Sequence, residues 1–314
     1  MARVVQYGET GPAEVLEVVE VPDPVPGSGE VLVEVRAAGV NPIEWKVRSG
    51  LRPSPPITEP RRLGSDGAGV VAAVGEGVDD WRVGDEVIVS GAAGTYATHV
   101  VVPRQNLTAK PAALDFEQAA ALGIPVATAH QALASLDVRR GHVLVVHGGS
   151  GGVGQAAVQL ARHLGARVIA TASPANHDRL RELGAEPVAY GDGLLERIRE
   201  LAPEGVDRVL DAAGTDEALA ASVALVDDPQ HAGTIVMGGK APELGIQAWS
   251  GGAPWPLTPE QLRLREDAIP VVADLVARGV FEVEVSRRFA LDDVVAAAKE
   301  SEAGHTRGKI VLLP

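Results

Sequence analysis

Over the first third of the chain, apolar and polar residues alternate in short runs at 30–35 (Glu-Val-Leu-Val-Glu-Val), 69–74, 86–90 and 95–102, with Gly and Pro between them. A period of two punctuated by turn residues predicts short strands, and so a β-rich barrel or sandwich over residues 1–113. From Asp115 the pattern changes. Stretches with a helical period alternate with compact apolar runs at 143–147, 167–171, 187–190, 206–210 and 234–237. That alternation predicts βαβ units on a parallel sheet buried on both faces. Thr258-Pro259-Glu260-Gln261 then offers an N-cap, a proline at the first helical position and a capping-box glutamine, which predicts a long helix interrupted near Pro270. A strand at 281–285, a helix from Leu291 and a last strand at Lys309–Leu313 close the chain, with no internal repeat and no low-complexity linker.

The strongest chemical signal lies where Val143–His147 leads into Gly149-Ser150-Gly151-Gly152-Val153-Gly154 and then into a helical pattern. Strand, glycine turn and helix in that order suit a dinucleotide pyrophosphate. Gly149 permits the tight turn, Gly151 lets the backbone approach the anion, Gly154 allows close helix–sheet contact, and the helix N-terminus aims unpaired N–H groups at the phosphates. Val153, Ala157, Leu160, Ala161 and Leu164 share one face of that helix. About 20 residues further on, an NAD-preferring site carries an acidic residue for the ribose 2′-hydroxyl. This chain has Thr171-Ala172-Ser173 there, followed by Asn176, His177 and Arg179, which with Ser173 can donate to a 2′-phosphate. NADPH is therefore expected over NADH.

Composition removes other classes. A length of 314 residues accommodates two domains, and a formal net charge of −14 argues against a nucleic-acid or anionic-membrane surface. The absence of cysteine removes disulfides, thiolate metal sites, iron–sulfur clusters and a cysteine nucleophile. The first residues lack a signal-peptide pattern, and the apolar stretch 119–129 falls short of the ~20 residues of a membrane span, so a cytoplasmic location is the default expectation. His142 and His147, five residues apart around a buried strand, face opposite sides and are read as structural.

At this point the chain resembles the medium-chain dehydrogenase/reductase superfamily, in its zinc-independent quinone oxidoreductase (zeta-crystallin-like) branch. The resemblance is carried by Gly39-Val40-Asn41-Pro42-Ile43-Glu44-Trp45-Lys46-Val47-Arg48-Ser49-Gly50, Gly64-Ser65-Asp66-Gly67-Ala68-Gly69-Val70-Val71, Val83-Gly84-Asp85-Glu86-Val87, the glycine turn, and Gly304-His305-Thr306-Arg307-Gly308-Lys309-Ile310-Val311-Leu312. It implies an α/β architecture. A GroES-like β-rich catalytic domain at 1–114 with a return at 281–314 would flank a Rossmann NADPH-binding domain, a doubly wound parallel sheet, at 115–280. It also implies a cleft site and a homodimer. Zinc-dependent relatives carry Cys where this chain has Asn41 and His-Glu where it has Ser65-Asp66, so no metal is expected.

Without a metal, the natural chemistry is hydride addition to an acceptor whose own conjugated carbonyl takes up the charge, a quinone or an α,β-unsaturated carbonyl compound. By resemblance, Asn41 offers its amide beside the nicotinamide, Thr128 lines the nicotinamide pocket, Met237 and Gly238 meet the nicotinamide end, and Tyr190 meets the adenosine phosphate side. Lys309 and Arg307 are expected to help bind the cofactor or close the cleft. The chain departs from the family pattern at Lys46, where zeta-crystallin-like sequences carry Tyr; Lys46 and Tyr96 then stand as the acid candidates, with a salt bridge as the commoner fate of such a lysine. The poorly patterned 242–256 is expected to form a substrate-cleft or dimer loop. Two alternatives remain: an enoyl reductase of polyketide or fatty-acyl assembly, for which Arg61, Arg62 and Arg104 would form a basic patch, and a non-catalytic NADPH-binding structural or regulatory protein.

Overall fold

The computed structural model describes residues 1–249 and 255–314. The chain divides into two compact units, 1–124 with 269–314, and 125–268. The sequence-based boundaries lay at 114 and 280. The first unit extends to 124 because the helix Phe116–Ala120 packs on its sheet and the Asp66 carboxylate accepts the Ile124 N–H at 2.8 Å.

Eight strands open the chain: β1 (Ala2–Tyr7), β2 (Glu17–Val21), β3 (Glu30–Val40), β4 (Arg61–Arg62), β5 (Asp66–Val74), β6 (Glu86–Ser90), β7 (His99–Pro103) and β8 (Leu107–Ala109). The second unit holds β9 (Val143–His147), β10 (Arg167–Thr171), β11 (Glu186–Val188), β12 (Arg208–Asp211), β13 (Ala232–Thr234) and β14 (Gln247–Ala248). β15 (Val285–Ala290) and β16 (Lys309–Leu313) return to the first unit.

In the first unit, β15-β16-β3-β5-β6-β8 form one sheet with β7 added on β3, and β2-β1-β4 form another. The alternation read in β3 buries Val31, Val33 and Val35 in a shared core with Val87, Val89, Val100, Val102, Ile310 and Leu312. Register decides what meets at one end of this sheet. Gly39 pairs with Asp66 on one side and Val311 on the other, which brings the chain after Val40 beside Asp66 and the start of β16.

The second unit is a wholly parallel sheet of order β11-β10-β9-β12-β13-β14. β9 is buried along its whole length, as a central strand covered on both faces must be. The chain leaves β9 toward β10 and β11, then crosses to β12 and beyond, so the order reverses beside β9, the switch point of the sheet.

Several predicted edges move. The third parallel strand ends at Val188, so Tyr190 lies beyond it, 58% exposed. The fourth runs over Arg208–Asp211 and the fifth over Ala232–Thr234, which leaves Met237 in the following loop. The predicted strand at 281–285 starts at Val285 instead, and a 3-10 turn precedes the helix Val294–Ala303. The predicted long helix is two, Pro259–Glu266 and Ala268–Ala277, and Pro270 sits in the first turn of the second, where a missing N–H leaves no ladder bond unmade. Part of 242–256 is regular: β14 lies here, and Trp249 is buried over Gly233. Residues 250–254 of that expected loop fall outside the described residues.

Candidate active site

The turn after β9 is built as a cradle. Its left-handed residue is Gly148, with φ +78. Gly149 is needed for packing, since a Cβ there would lie 2.8 Å from the Ala170 Cβ. A Cβ on Gly154 would lie 2.2 Å from the Gly148 carbonyl oxygen and 2.7 Å from the Gly149 Cα, so the helix Gly152–Leu164 can approach the turn only as glycine. At Gly151, the helix N-cap, a Cβ would meet nothing closer than that same oxygen at 3.8 Å. Open space over Gly151 and the unpaired N–H groups of the first helical turn, Gly152, Val153 and Gly154, fit a pyrophosphate. Ser150 belongs to this cradle through its carbonyl, which accepts from the Gln155 side chain at 3.0 Å. The turn hangs on Thr171 of β10, whose carbonyl accepts the Gly149 N–H at 2.9 Å and whose hydroxyl accepts the Gly148 N–H at 3.1 Å. Leu164, predicted on the buried face, is 43% exposed because it closes the helix.

At the end of β10 no carboxylate stands among Thr171, Ala172 and Ser173. Ser173 Oγ accepts from Asn176 Nδ2 at 3.2 Å, and the His177 ring lies 3.3 Å from the Ala172 carbonyl. Arg179 is half-buried and paired with Glu182 at 3.2 Å. Thr128 is buried in the helix Gly123–Ser135 and accepts from Arg265 at 3.3 Å. Met237 precedes the 3-10 turn Gly238–Lys240.

The first unit holds a buried polar cluster. Asn41 ends β3 and precedes the helix Pro42–Arg48, where Glu44 accepts its N–H at 2.6 Å, the backbone half of a capping box. Asn41, Asp66 and Lys309 are 1%, 0% and 5% exposed. The Asn41 amide nitrogen donates to Asp66 Oδ2 at 2.9 Å, and its oxygen accepts from the Lys309 ammonium, which lies 3.9 Å from Asp66 Oδ2. The Tyr96 hydroxyl donates to Glu44 at 2.5 Å. Burial pushes Glu44 up to about 7 against the opposing bonds from Tyr96 and Asn41, raises Asp66 despite Lys309, and lowers Lys309 despite Asp66 and Glu44.

Several sequence expectations meet their partners here. Tyr96 is an acid candidate whose phenol burial and then the Glu44 charge hold well above its ordinary value, while burial pushes its partner Glu44 up to about 7. Lys46 forms no ion pair among the described residues; its ammonium lies 5.7 Å from the Trp45 ring centre, lowered by burial and then by Arg52. Lys309, expected at the cofactor, has its ammonium on Asn41 and Asp66, while Arg307 pairs with Glu284 at 2.6 Å. Of the expected basic patch, Arg61 bonds the neutral Ser54 hydroxyl at 2.9 Å and Arg104 lies 3.5 Å from Asp80.

A zinc ion does not fit this cluster. Both polar atoms of the Asn41 amide are engaged, an ammonium fills the remaining place, and no group of three His, Cys, Asp or Glu among the described residues could hold a metal. Sequence reasoning did not single out Glu44, the buried Asp66 carboxylate or Arg265. The Asn-x-x-Glu spacing of a capping box could have found the first.

The Glu44 shift has a sign. Between its unperturbed 4.5 and about 7, the native chain keeps a proton that the unfolded chain has released, so stability falls as pH rises through that window, by up to about 3 kcal/mol. Asp66 acts in the same direction. Urea unfolding at about pH 5 and about pH 8 should show this loss in the parent and a smaller one in Glu44→Gln.

Comparison with known proteins agrees with this geometry. Residues 27–112 match the family model described as an alcohol dehydrogenase GroES-like domain, and 183–312 the one described as zinc-binding dehydrogenase. A quinone oxidoreductase of Pseudomonas aeruginosa is 34% identical over 334 residues, covering 100% of each chain. Escherichia coli quinone oxidoreductase, solved in complex with NADPH, superposes with a TM-score of 0.85 at 28% identity over 100% of each chain, and CurK enoyl reductase with 0.85 at 25% over 99% of each. Among the described residues, no helix is long and apolar enough to cross a membrane. With a relative matched from end to end at that identity, and with a GroES-like part and a doubly wound parallel sheet both in hand, the chain belongs to the quinone oxidoreductase branch of the medium-chain dehydrogenase/reductase superfamily and is an oxidoreductase.

Proposed function

We propose that the chain is an NADPH-dependent, metal-independent reductase of quinones or of C=C bonds conjugated to a carbonyl. The observation that carries this reading is the cradle at Gly151 and Gly154 followed by a β10 end with no carboxylate. The NADPH complex of the Escherichia coli relative supports it. Bound NADPH would supply the hydride. The backbone N–H groups of Gly152, Val153 and Gly154 would hold the pyrophosphate, and Ser173, His177 and Arg179 the 2′-phosphate, where an acidic residue would repel it. Thr128, fixed by Arg265, and the backbone at Met237 and Gly238 would orient the nicotinamide. In the first unit, Asn41 is fixed between Asp66 and Lys309, and Glu44 holds a proton at its carboxyl near neutral pH.

The CurK likeness favours a second reading, an enoyl reductase acting on an acyl thioester. The pairing of Arg104 with Asp80 counts against its place in a carrier-docking patch. The test follows loss of NADPH absorbance, with NADH in parallel, against simple quinones, short enones and an enoyl thioester. Oxidation of NADPH by a quinone or enone is expected. Preference for the thioester would move the assignment to the enoyl branch, preference for NADH would overturn the role of Ser173 and His177, and binding without turnover would leave a binding protein.

A further inference from the structure

Two buried polar residues of the second unit have no part in the reading above. Asp211 ends β12 and Thr234 ends β13, they are register partners, and both are 0% exposed. One Asp211 oxygen accepts the N–H groups of Ala213 at 3.0 Å and Gly214 at 2.9 Å; the other accepts the Thr234 hydroxyl at 2.7 Å. Thr234 Oγ1 in turn accepts the N–H groups of Val236 and Met237, both at 3.1 Å. A hydroxyl has one proton to give and two lone pairs, so Thr234 is saturated.

One carboxylate and one hydroxyl therefore hold the loops that follow two adjacent strands. The loops also touch: a Cβ on Gly214, whose φ is +71, would lie 2.4 Å from the Val236 side chain and 3.3 Å from that of Met237. Buried charge is costly and is kept only where its bonds are made, and here every bond made goes to loop backbone or to the partner hydroxyl. Both loops leave the C-terminal ends of strands on the far side of the switch point from β10. In a doubly wound sheet the adenosine half lies toward β10, so these loops face the other half of a dinucleotide.

We infer that Asp211 and Thr234 are positioning residues for the nicotinamide half of the cofactor, locking the loops after β12 and β13 into one shelf. This rests on the NADPH reading. Thr234→Val keeps the shape of the side chain and removes its proton and lone pairs. NADPH binding, read by fluorescence, is expected to weaken about tenfold, as loss of one or two hydrogen bonds behind a binding loop would give. Binding of 2′,5′-ADP, which has no nicotinamide half, is expected to hold within about twofold, and Thr234→Ser to restore NADPH affinity. A fall in Tm with both affinities unchanged would assign the pair to stability alone and overturn the inference, as would equal weakening of both ligands. Failure of the parent to bind NADPH would overturn the cofactor reading and this inference with it. If Thr234→Val does not fold, Asp211→Asn is read the same way, because its amide nitrogen would face a hydroxyl that then has no acceptor for its own proton.

Discussion

Gly154→Ala is expected to weaken NADPH binding by roughly a hundredfold and to lower Tm as well, an overpacking cost on the order of 3 kcal/mol. The added methyl would lie 2.2 Å from the Gly148 carbonyl oxygen and 2.8 Å from the Gly149 carbonyl carbon. All the atoms it meets are backbone of the phosphate turn, so no side chain can swing away, and the turn itself must shift. Gly151→Ala is the control that separates packing from ligand contact. Its methyl meets nothing within 3.8 Å, so Tm should hold while NADPH affinity falls, because the methyl projects where the pyrophosphate approaches. Thermal melts with fluorescence titrations of both variants check this; equal Tm loss in the two would contradict the cradle geometry.

The second large effect is expected at Lys309. Lys309→Met leaves Asp66 fully buried without its cation and leaves the Asn41 oxygen without its donor. Removing one partner of a buried charge pair costs about 3–5 kcal/mol, more than the pair itself contributes, because the remaining charge is stranded. The variant should unfold at markedly lower urea and lose most of its turnover. Adding Asp66→Asn removes the stranded charge, so the double variant should regain much of the lost stability without regaining turnover. A double variant no more stable than Lys309→Met would show that the ammonium does not act through Asp66. Loss of the Lys309 charge should also push Glu44 and Asp66 further up, since that charge now opposes burial at both.

The unequal legibility of these sites has a physical origin. The glycine turn could be read directly because its chemistry is local: strand, turn and helix are neighbours in the chain, and each glycine stands for a backbone need within a few residues of itself. Which of the two adjacent glycines takes the positive φ was not legible, because either can, and only packing against Ala170 and Leu180 leaves that task to Gly148. The strand ends at Val188 and Thr234 were blurred because an apolar run continues into the loop that follows it, and hydrophobicity does not record where pairing stops.

By itself the sequence determined the class of the fold, the phosphate-binding turn and the lack of an acidic residue at the end of β10, all set by periodicity and near neighbours. Only the tertiary structure decided the partners of the charged groups. Lys309 reaches Asn41 across 268 positions, Tyr96 reaches Glu44 across 52, and Thr234 reaches Asp211 across 23. Those meetings depend on strand register, which brings the start of β16 and the start of β5 to the end of β3 and sets β13 beside β12. Register is fixed by which faces are buried over whole sheets, so the protonation and bonding of each polar residue follow from apolar packing elsewhere in the unit.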